Sequence, residues 1–408
     1  MNYLKVIRNN WKKCTFGAVA TAYGFHSLKT HIEIEKHMRA FATDVQVNCQ
    51  SDHLKKVLVV MNPVANKKKS EKFFKNYCEP ILHLAGYSVE VLRTNQIGHA
   101  KSYIEEMATL PDAIVVAGGD GTSSEVVTGL MRRRGNLCPI TILPLGRTVQ
   151  AASKHFNLLG VKDIEYVKSL CQALEPMLKD KCKYQSVIRF DVINEEEGAD
   201  NHLKPIFGLN GFSWGLLENI DSTKDKYWYF GPLRHYASAV SRSFADNLSL
   251  KTEYVYTPPC PGCVDCISEQ REETAAPSGL FTRNIFKYKK NSTGPAKILV
   301  KNENCSNRIE GSIEANQINI NCTQNEENFS ELESQFISSL KPGWEFIKKI
   351  PEITDSNVLP NLVLKSRTIQ LYPTGELAAD TFYSIDGEEY DARPIKVSVI
   401  PNAIKVFC

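Results

Sequence analysis

Short apolar runs alternate with longer amphipathic stretches through the first part of this chain. VLVVM (Val57 to Met61) is stopped by Asn62-Pro63, and a polar-amphipathic stretch from Lys67 to Leu84 follows, closed by Gly86. SVEVL (Ser88 to Leu92), DAIVVA (Asp112 to Ala117) and ITILP (Ile140 to Pro144) repeat the strand pattern. Gly98 to Ala108, Thr122 to Arg134 and Val161 to Leu178 repeat the helical one. Strands alternating with helices at this spacing predict parallel pairing in a doubly wound α/β sheet. From Tyr184 the pattern changes to short β-rich runs: SVIRFDVI, PIFGLNGFSWG, KTEYVY, NLVLKSRTIQLY, TFYSIDG and IKVSVIPNAIKVF. Regularly punctuated short strands of this kind predict an all-β sandwich or barrel. The zone from Thr257 to about Phe329, rich in Pro, Gly, Asn, Glu and Lys, reads as a loose insertion. The expected plan is an N-terminal segment at 1–52, an α/β domain at 53–183 and a β domain at 184–408 with an insertion at about 257–329.

A length of 408 residues with 42% hydrophobic content suits two or three packed units and excludes a disordered or collagen-like chain. The net charge of +3 excludes a polycation that coats nucleic acid, but the average hides an asymmetry. Residues 1 to 32 carry Lys5, Arg8, Lys12, Lys13 and Lys29 with no Asp or Glu, so the remainder is slightly acidic. Directly behind the basic cluster and Trp11, the fifteen residues Cys14 to Leu28 contain no Lys, Arg, Asp or Glu. A spanning helix needs about 20 apolar residues, so this run is short for crossing a bilayer. A basic, acid-free stretch reads better as a mitochondrial address or an interfacial foothold than as a secretory signal, with an ordinary tail as the plainer alternative.

Twelve cysteines are scattered apart from Cys260, Cys263 and Cys266 in CPGCVDC. That spacing suits zinc or an iron–sulfur cluster, but a fourth ligand is missing nearby, so a Pro/Gly-rich loop with exposed thiols is the expected arrangement. Five Asn-x-Ser/Thr sequons begin at Asn247, Asn291, Asn304, Asn321 and Asn328. With no secretory signal, these read as chance matches in an Asn-rich stretch.

The strongest local signal is AGGDGTSSEVVTG, Ala117 to Gly129, lying after an apolar strand and running into an apolar-periodic helix. That setting places it at the carboxyl end of a parallel strand, where α/β folds bind ligands. Gly118, Gly119 and Gly121 let the backbone approach a ligand closely, and the helix start offers N–H groups and a positive dipole end to an anion. Thr122 is a candidate cap of that helix. Asp120, a carboxylate beside a phosphate site, requires a cation or a transferable proton there. The chemistry these residues imply is nucleotide phosphate with Mg2+, although the motif is neither a Walker A loop nor a GxGxxG fingerprint.

Four motifs in order amount to a resemblance: MNP (Met61 to Pro63), GGDGT followed by Glu125, PLG (Pro144 to Gly146) and IDGEE (Ile385 to Glu389). Together they resemble the diacylglycerol kinase catalytic family, which also includes sphingosine and ceramide kinases. FSWGLLENIDSTKDKYWYFGPLR (Phe212 to Arg234) resembles the substrate-side segment of the sphingosine kinases. KYWYFGPL with the basic, Trp-containing head resembles the mitochondrial, multi-substrate acylglycerol kinase branch. The resemblance covers nearly the whole chain except the insertion.

It implies an ATP-binding α/β domain followed by a β-sandwich lipid domain, with the active site in the cleft between them. Asn62, Pro63, Gly118, Gly119, Gly121, Thr122, Glu125, Pro144, Gly146 and Arg234 match nucleotide-binding positions. Asp120, Asp386 and Glu388 match catalytic carboxylates, and Asp120 and Asp386 would hold Mg2+ through water. Asp221 matches the residue that holds the lipid head group, and Trp214, with Tyr227 to Phe230, is expected to line an acyl slot. The implied partners are monoacylglycerol and diacylglycerol in a mitochondrial membrane, facing the intermembrane space, and no nucleic acid. One departure stands out: Gly146 is followed by Arg147-Thr148-Val149-Gln150, where many members have Thr-x-Asn-Asp. It keeps open an adaptor role in an inner-membrane protein-import complex, beside sphingosine, ceramide or NAD kinase activity.

Overall fold

The structure is a computed structural model that describes residues 10–48, 54–133, 135, 137–146, 163–193, 203–242, 249–260, 263, 302, 304–305, 307–324, 329–339, 348, 359–374 and 382–408. It divides into two units, residues 1–185 with 404–408, and residues 186–403.

The first unit is built on parallel strands β1 (Lys55–Met61), β2 (Tyr87–Arg93), β3 (Ala113–Gly118) and β4 (Ile140–Pro144), in the order β2-β1-β3-β4. Near the C-terminus Val406 pairs in parallel with Ile140. Every residue of β3 and β4 is buried, which is why those runs are apolar throughout rather than alternating. Helix α1 (Trp11–Asn48) is followed by α2 (His99–Glu106), α3 (Asp120–Met131) and α4 (Asp163–Leu178). Val57, Val59 and Met61 of β1 and Val115 of β3 share one core with Phe74, Leu82, Leu170, Leu174 and Phe407.

The helix expected over Lys67 to Leu84 is broken into short pieces, with a π turn at Phe74–Cys78 before Glu79–Leu84. Pro80, in the first turn of the last piece, has no N–H, so a continuous ladder is impossible at that point. The expected N-terminal boundary also shifts in meaning. Met38, Phe41 and Ala42 pack against the core that includes Val45, and Ile34 clusters with Val167 and Cys171, so the second half of α1 is part of this unit. Among the described residues no helix is long and apolar enough to cross a membrane.

β5 (Cys182–Val192) crosses into the second unit, which then carries β6 (Ile206–Gly208), β7 (Gly211–Gly215), α5 (Leu216–Thr223), a kinked 3-10 segment (Lys224–Leu233) and α6 (Arg234–Arg242). Then come β8 (Leu250–Thr257), β9 (Ile309–Ala315), β10 (Gln317–Gln324), β11 (Ser330–Ile337), β12 (Leu362–Ser366), β13 (Thr368–Thr374), β14 (Phe382–Ile385), β15 (Glu388–Asp391) and β16 (Ile395–Phe407). One antiparallel sheet runs β12-β11-β10-β7-β14-β15. A second set of strands, β16-β13-β8-β9 with β5 and β6, contributes to the same core. The expected insertion is therefore shorter than 257–329, because Ile309 to Gln324 forms two strands, and much of the remainder lies outside the described residues.

Register sorts the side chains by face. Trp214 stands opposite Ile318 and Tyr383, whereas Ser213 stands opposite Asn319 and Ser384. The first set is core. Trp214 is fully buried and meets the Tyr383 ring edge-on at 5.1 Å, beside Phe212 at 4.8 Å from the same ring. Trp214, expected to line an acyl slot, is thus a packing residue. Trp214→Ala should lower the unfolding free energy by about 3–5 kcal/mol, read from urea unfolding followed by near-UV circular dichroism.

Candidate active site

At the carboxyl edge of the first unit's sheet, Met61 pairs with Ala117, so the next residues of both strands leave the sheet side by side. Asn62 N–H donates to Ala117 C=O at 3.1 Å, and its side chain bridges the two loops. Its Oδ1 accepts from Val64 N–H at 3.1 Å, and its Nδ2 donates to Thr122 Oγ1 at 3.4 Å. Ser70 Oγ donates to the Asn62 carbonyl at 2.8 Å, tying down the turn that begins at Pro63. In that turn Asn66 and Lys68 hold left-handed φ values of 51° and 66°, uncommon outside glycine. Asn66 Nδ2 donates to Tyr166 Oη at 3.4 Å, and that hydroxyl donates to the Pro144 carbonyl at 3.0 Å. Burial pushes the Tyr166 phenol up to about 12, so it stays a neutral donor. Asn62, Thr122 and Pro144 are thereby joined through three loops. Gly146 follows half-buried, and Arg147 to Gln150 lie outside the described residues.

Helix α3 starts two residues earlier than expected. Gly119 is its N-cap in an extended conformation, and Asp120, Gly121 and Thr122 form its first turn. Thr122 is therefore not the cap; its hydroxyl faces Asn62 instead. A Cβ on Gly118 would stand 2.5 Å from Thr122 Oγ1, so only glycine fits there. Asp120 is buried in the first turn of the helix.

The two helix starts nearest this edge are treated differently. The start of α2 is plugged from within: Glu125 accepts from Gly98 N–H at 2.7 Å and Ala100 N–H at 3.1 Å. Glu125 thus positions α2 by satisfying its orphan donors. The start of α3 has no side-chain cap. A helix start whose N-cap and preceding residue are both glycine fits a phosphate group.

Asp386, Glu388, Asp221 and Arg234 belong to the second unit. Asp386 and Gly387 have φ of 51° and 83°, the signature of a two-residue type I′ hairpin turn between β14 and β15, with Ile385 opposite Glu388. The Asp386 carboxylate is buried and accepts three backbone N–H bonds: Leu209 at 2.7 Å, Asn210 at 2.9 Å and Gly211 at 3.0 Å. It packs so closely on Gly208 that a Cβ there would stand 2.8 Å from Oδ2. Asp386 therefore clasps the β6–β7 turn. Asp221 pairs with Lys224 at 2.5 Å and His235 at 3.6 Å, and Arg234 pairs with Asp225 at 2.9 Å. Beside them Trp228, Tyr229 and Phe230 are 75%, 63% and 48% exposed, an open aromatic surface rather than a closed slot.

Two further groups escaped the motif-based reading. Glu218, on α5, hydrogen-bonds Ser213 and Ser384, and burial pushes its carboxyl above the usual range, with Asp221 and Glu389 adding to the rise. Ser213 Oγ in turn donates to Asn319 Oδ1 at 2.9 Å and accepts from Gln317 Nε2 at 2.7 Å. Asn210 Oδ1, on the turn that Asp386 holds, is buried and meets no donor among the described residues. The signal for Glu218 was an acid interrupting an apolar run, GLLEN; nothing local marks Asn210.

Residues 56–181 match the diacylglycerol kinase catalytic domain and residues 209–408 the acylglycerol kinase C-terminal family. A putative diacylglycerol kinase from Bacillus anthracis str. Sterne shares the fold with a TM-score of 0.51 at 15% identity, covering 88% of this chain and 98% of that one. The chain belongs to the diacylglycerol kinase catalytic-domain family of lipid kinases. Within that family its likeness is to the acylglycerol kinases. It is 28% identical to the mitochondrial acylglycerol kinase of Homo sapiens over 100% of this chain and 96% of the relative. It is 29% identical to that of Xenopus laevis over 99% and 94%. Sphingosine kinase 1 of Homo sapiens is 26% identical over 44% of this chain and 46% of its own length.

Two outcomes follow from the second unit. Asp386→Ala leaves three N–H groups without their acceptor and should destabilise the protein by about 3 kcal/mol or more in urea unfolding, whereas a residue used only in chemistry would leave stability unchanged. Glu218 carries a folded-state value raised above its ordinary 4.5, so its contribution to stability is present below 4.5 and lost as pH rises through the raised value. Glu218→Gln should flatten that segment of the stability-against-pH curve, measured by urea unfolding between acid and neutral pH.

Proposed function

We propose that this chain is an ATP-dependent acylglycerol kinase, phosphorylating monoacylglycerol to lysophosphatidic acid and diacylglycerol to phosphatidic acid. The observation that carries the reading is the α3 start: Gly118 and Gly119, no side-chain cap, and Asn62 hydrogen-bonded to Thr122 across the two loops. The ATP phosphates would lie over Gly118 to Thr122, with Asn62, Pro63, Pro144 and Gly146 shaping the surround. Mg2+, held through water by Asp120, would neutralise the phosphate charge, which is most of what phosphoryl transfer asks of a protein. Asp120 would also take the proton of the attacking hydroxyl as the bond from the γ-phosphorus to the bridging oxygen of ATP breaks. Such general base action is worth about 10²–10⁴ in rate.

On the acceptor side, Asp386 serves this reading as the clasp of the Leu209–Gly211 turn rather than as a base, because its oxygens already accept three N–H groups. That clasp presents Asn210 Oδ1, the buried acceptor suited to a glycerol hydroxyl. Asp221 would contact the head group, Arg234 the nucleotide phosphates once released from Asp225, and Glu388 holds the hairpin beside Asp386. The exposed Trp228, Tyr229 and Phe230 would rest in a lipid surface, so that acyl chains need not cross water, where each CH2 costs about 0.8 kcal/mol. The full-length relatives named mitochondrial support a mitochondrial location; there the protein would sit at the inner membrane facing the intermembrane space, held peripherally or by the N-terminal segment.

Labelled ATP offered with monoacylglycerol, diacylglycerol, sphingosine, ceramide and NAD tests the reading. Label should enter the two acylglycerols. Asp120→Asn should reduce that rate by about 100-fold or more with the fold intact by circular dichroism. Gly121→Asp places an acid in the first turn of α3, which suits the helix dipole but repels phosphate, so it should fold and yet fail to turn over. Label in none of the acceptors would overturn the kinase reading in favour of an adaptor in a protein-import complex.

A further inference from the structure

The β8–β9 pairing is antiparallel with Tyr256 opposite Ile309 and Leu250 opposite Ala315. Continued past Thr257, this register sets position 260 opposite position 305. The sheet therefore delivers Cys260 and Cys305 to each other across the chain that separates the two strands, and Cys263 follows from the C-x-x-C spacing. The three Sγ atoms all lie within 4.8 Å of one another. Cys263 is 2% and Cys305 1% exposed, with Cys260 packed against them, so the thiols are gathered inward rather than displayed on a loop.

The surroundings orient the sulfurs. Cys305 N–H donates to the Asn302 carbonyl at 3.1 Å, Asn304 N–H donates to Asn302 Oδ1 at 3.1 Å, and Asn302 Nδ2 donates to Cys260 Sγ at 3.4 Å. An amide donor aimed at a sulfur is the supporting contact that metal-bound thiolates receive. Three buried sulfurs at this spacing suit a single thiophilic ion. Zn–S bonds of about 2.3 Å at tetrahedral angles set sulfurs on one zinc about 3.8 Å apart, whereas ligands on separate irons of a cubane cluster stand wider.

We propose that Cys260, Cys263 and Cys305 bind one Zn2+ as thiolates. Binding displaces the three thiol protons to solvent and involves no change of oxidation state. The ion ties the two ends of the insertion together where β8 and β9 part, so its role is structural and independent of phosphoryl transfer. The CPGCVDC run lacked a further ligand at motif spacing; Cys305 joins Cys260 and Cys263 from the far end of the insertion, and Cys266 lies outside the described residues.

Full-length protein purified without chelator from zinc-supplemented cells should carry about one zinc per chain by inductively coupled plasma mass spectrometry. Cys263→Ser and Cys305→Ser should each bring zinc to background, while Cys182→Ser, at an exposed cysteine, should retain it. Stripped wild-type protein reloaded with Co2+ should show thiolate-to-cobalt charge-transfer absorption in the near ultraviolet. That measurement needs only the folded wild type, so it decides the matter even if the serine variants fail to fold. The proposal is overturned by wild-type protein that holds no zinc and gives no cobalt–thiolate band, or by copper or iron in place of zinc. Undiminished zinc in both serine variants, or a disulfide among these three cysteines in freshly alkylated protein, would also overturn it.

Discussion

A strand buried on both faces has only its ends available for polar chemistry, and the first unit is organised around that constraint. β3 and β4 are buried along their whole lengths and β1 over its last five residues. Parallel pairing then brings the carboxyl ends of these strands out at one edge, where Asn62 and Gly118 emerge together. The hydrogen bond from Asn62 to Thr122 and the path from Asn66 through Tyr166 to Pro144 are consequences of strands that end in register.

The same edge shows how one chemical feature can be closed or left open. Both α2 and α3 begin with glycine at the N-cap, and both starts carry orphan N–H groups. Glu125 fills the first with its own carboxylate, and the second is the proposed phosphate site. Asp386 applies the same device in the second unit, where a hairpin-turn carboxylate satisfies three N–H groups of a neighbouring turn. Glu125 and Asp386, both read as motif carboxylates, thus serve first as acceptors for backbone donors. Glu218, half-buried beside the hydroxyls of Ser213 and Ser384, is an acid whose carboxyl burial holds above the usual range.

The antiparallel sheets of the second unit divide labour by face. Phe212, Trp214 and Tyr383 fill the core, while Ser213, Asn319 and Ser384 make a polar layer beneath α5. Ladder register also carries the chain across the long insertion, since the β8–β9 pairing resumes after it and sets the three cysteines side by side. In both cases a period of two along the strand decides which residues can meet.

The alternation of apolar strands with amphipathic helices, the change to short β runs after Tyr184, and the glycine-rich turn after β3 were all legible in the sequence, because each depends on neighbours a few residues apart. Pro80 was legible too, yet its effect, a π turn in place of a continuous helix, depended on the backbone path. The fate of individual polar groups was decided elsewhere. Glu125 reaches donors 25 and 27 residues away, Asp386 reaches donors 175 to 177 residues away, and Cys305 joins Cys260 only through a sheet register. Motif and period report local backbone geometry, whereas the role of a buried acid or thiol is set by whichever donors and charges the fold brings to it, and those are assembled only in three dimensions.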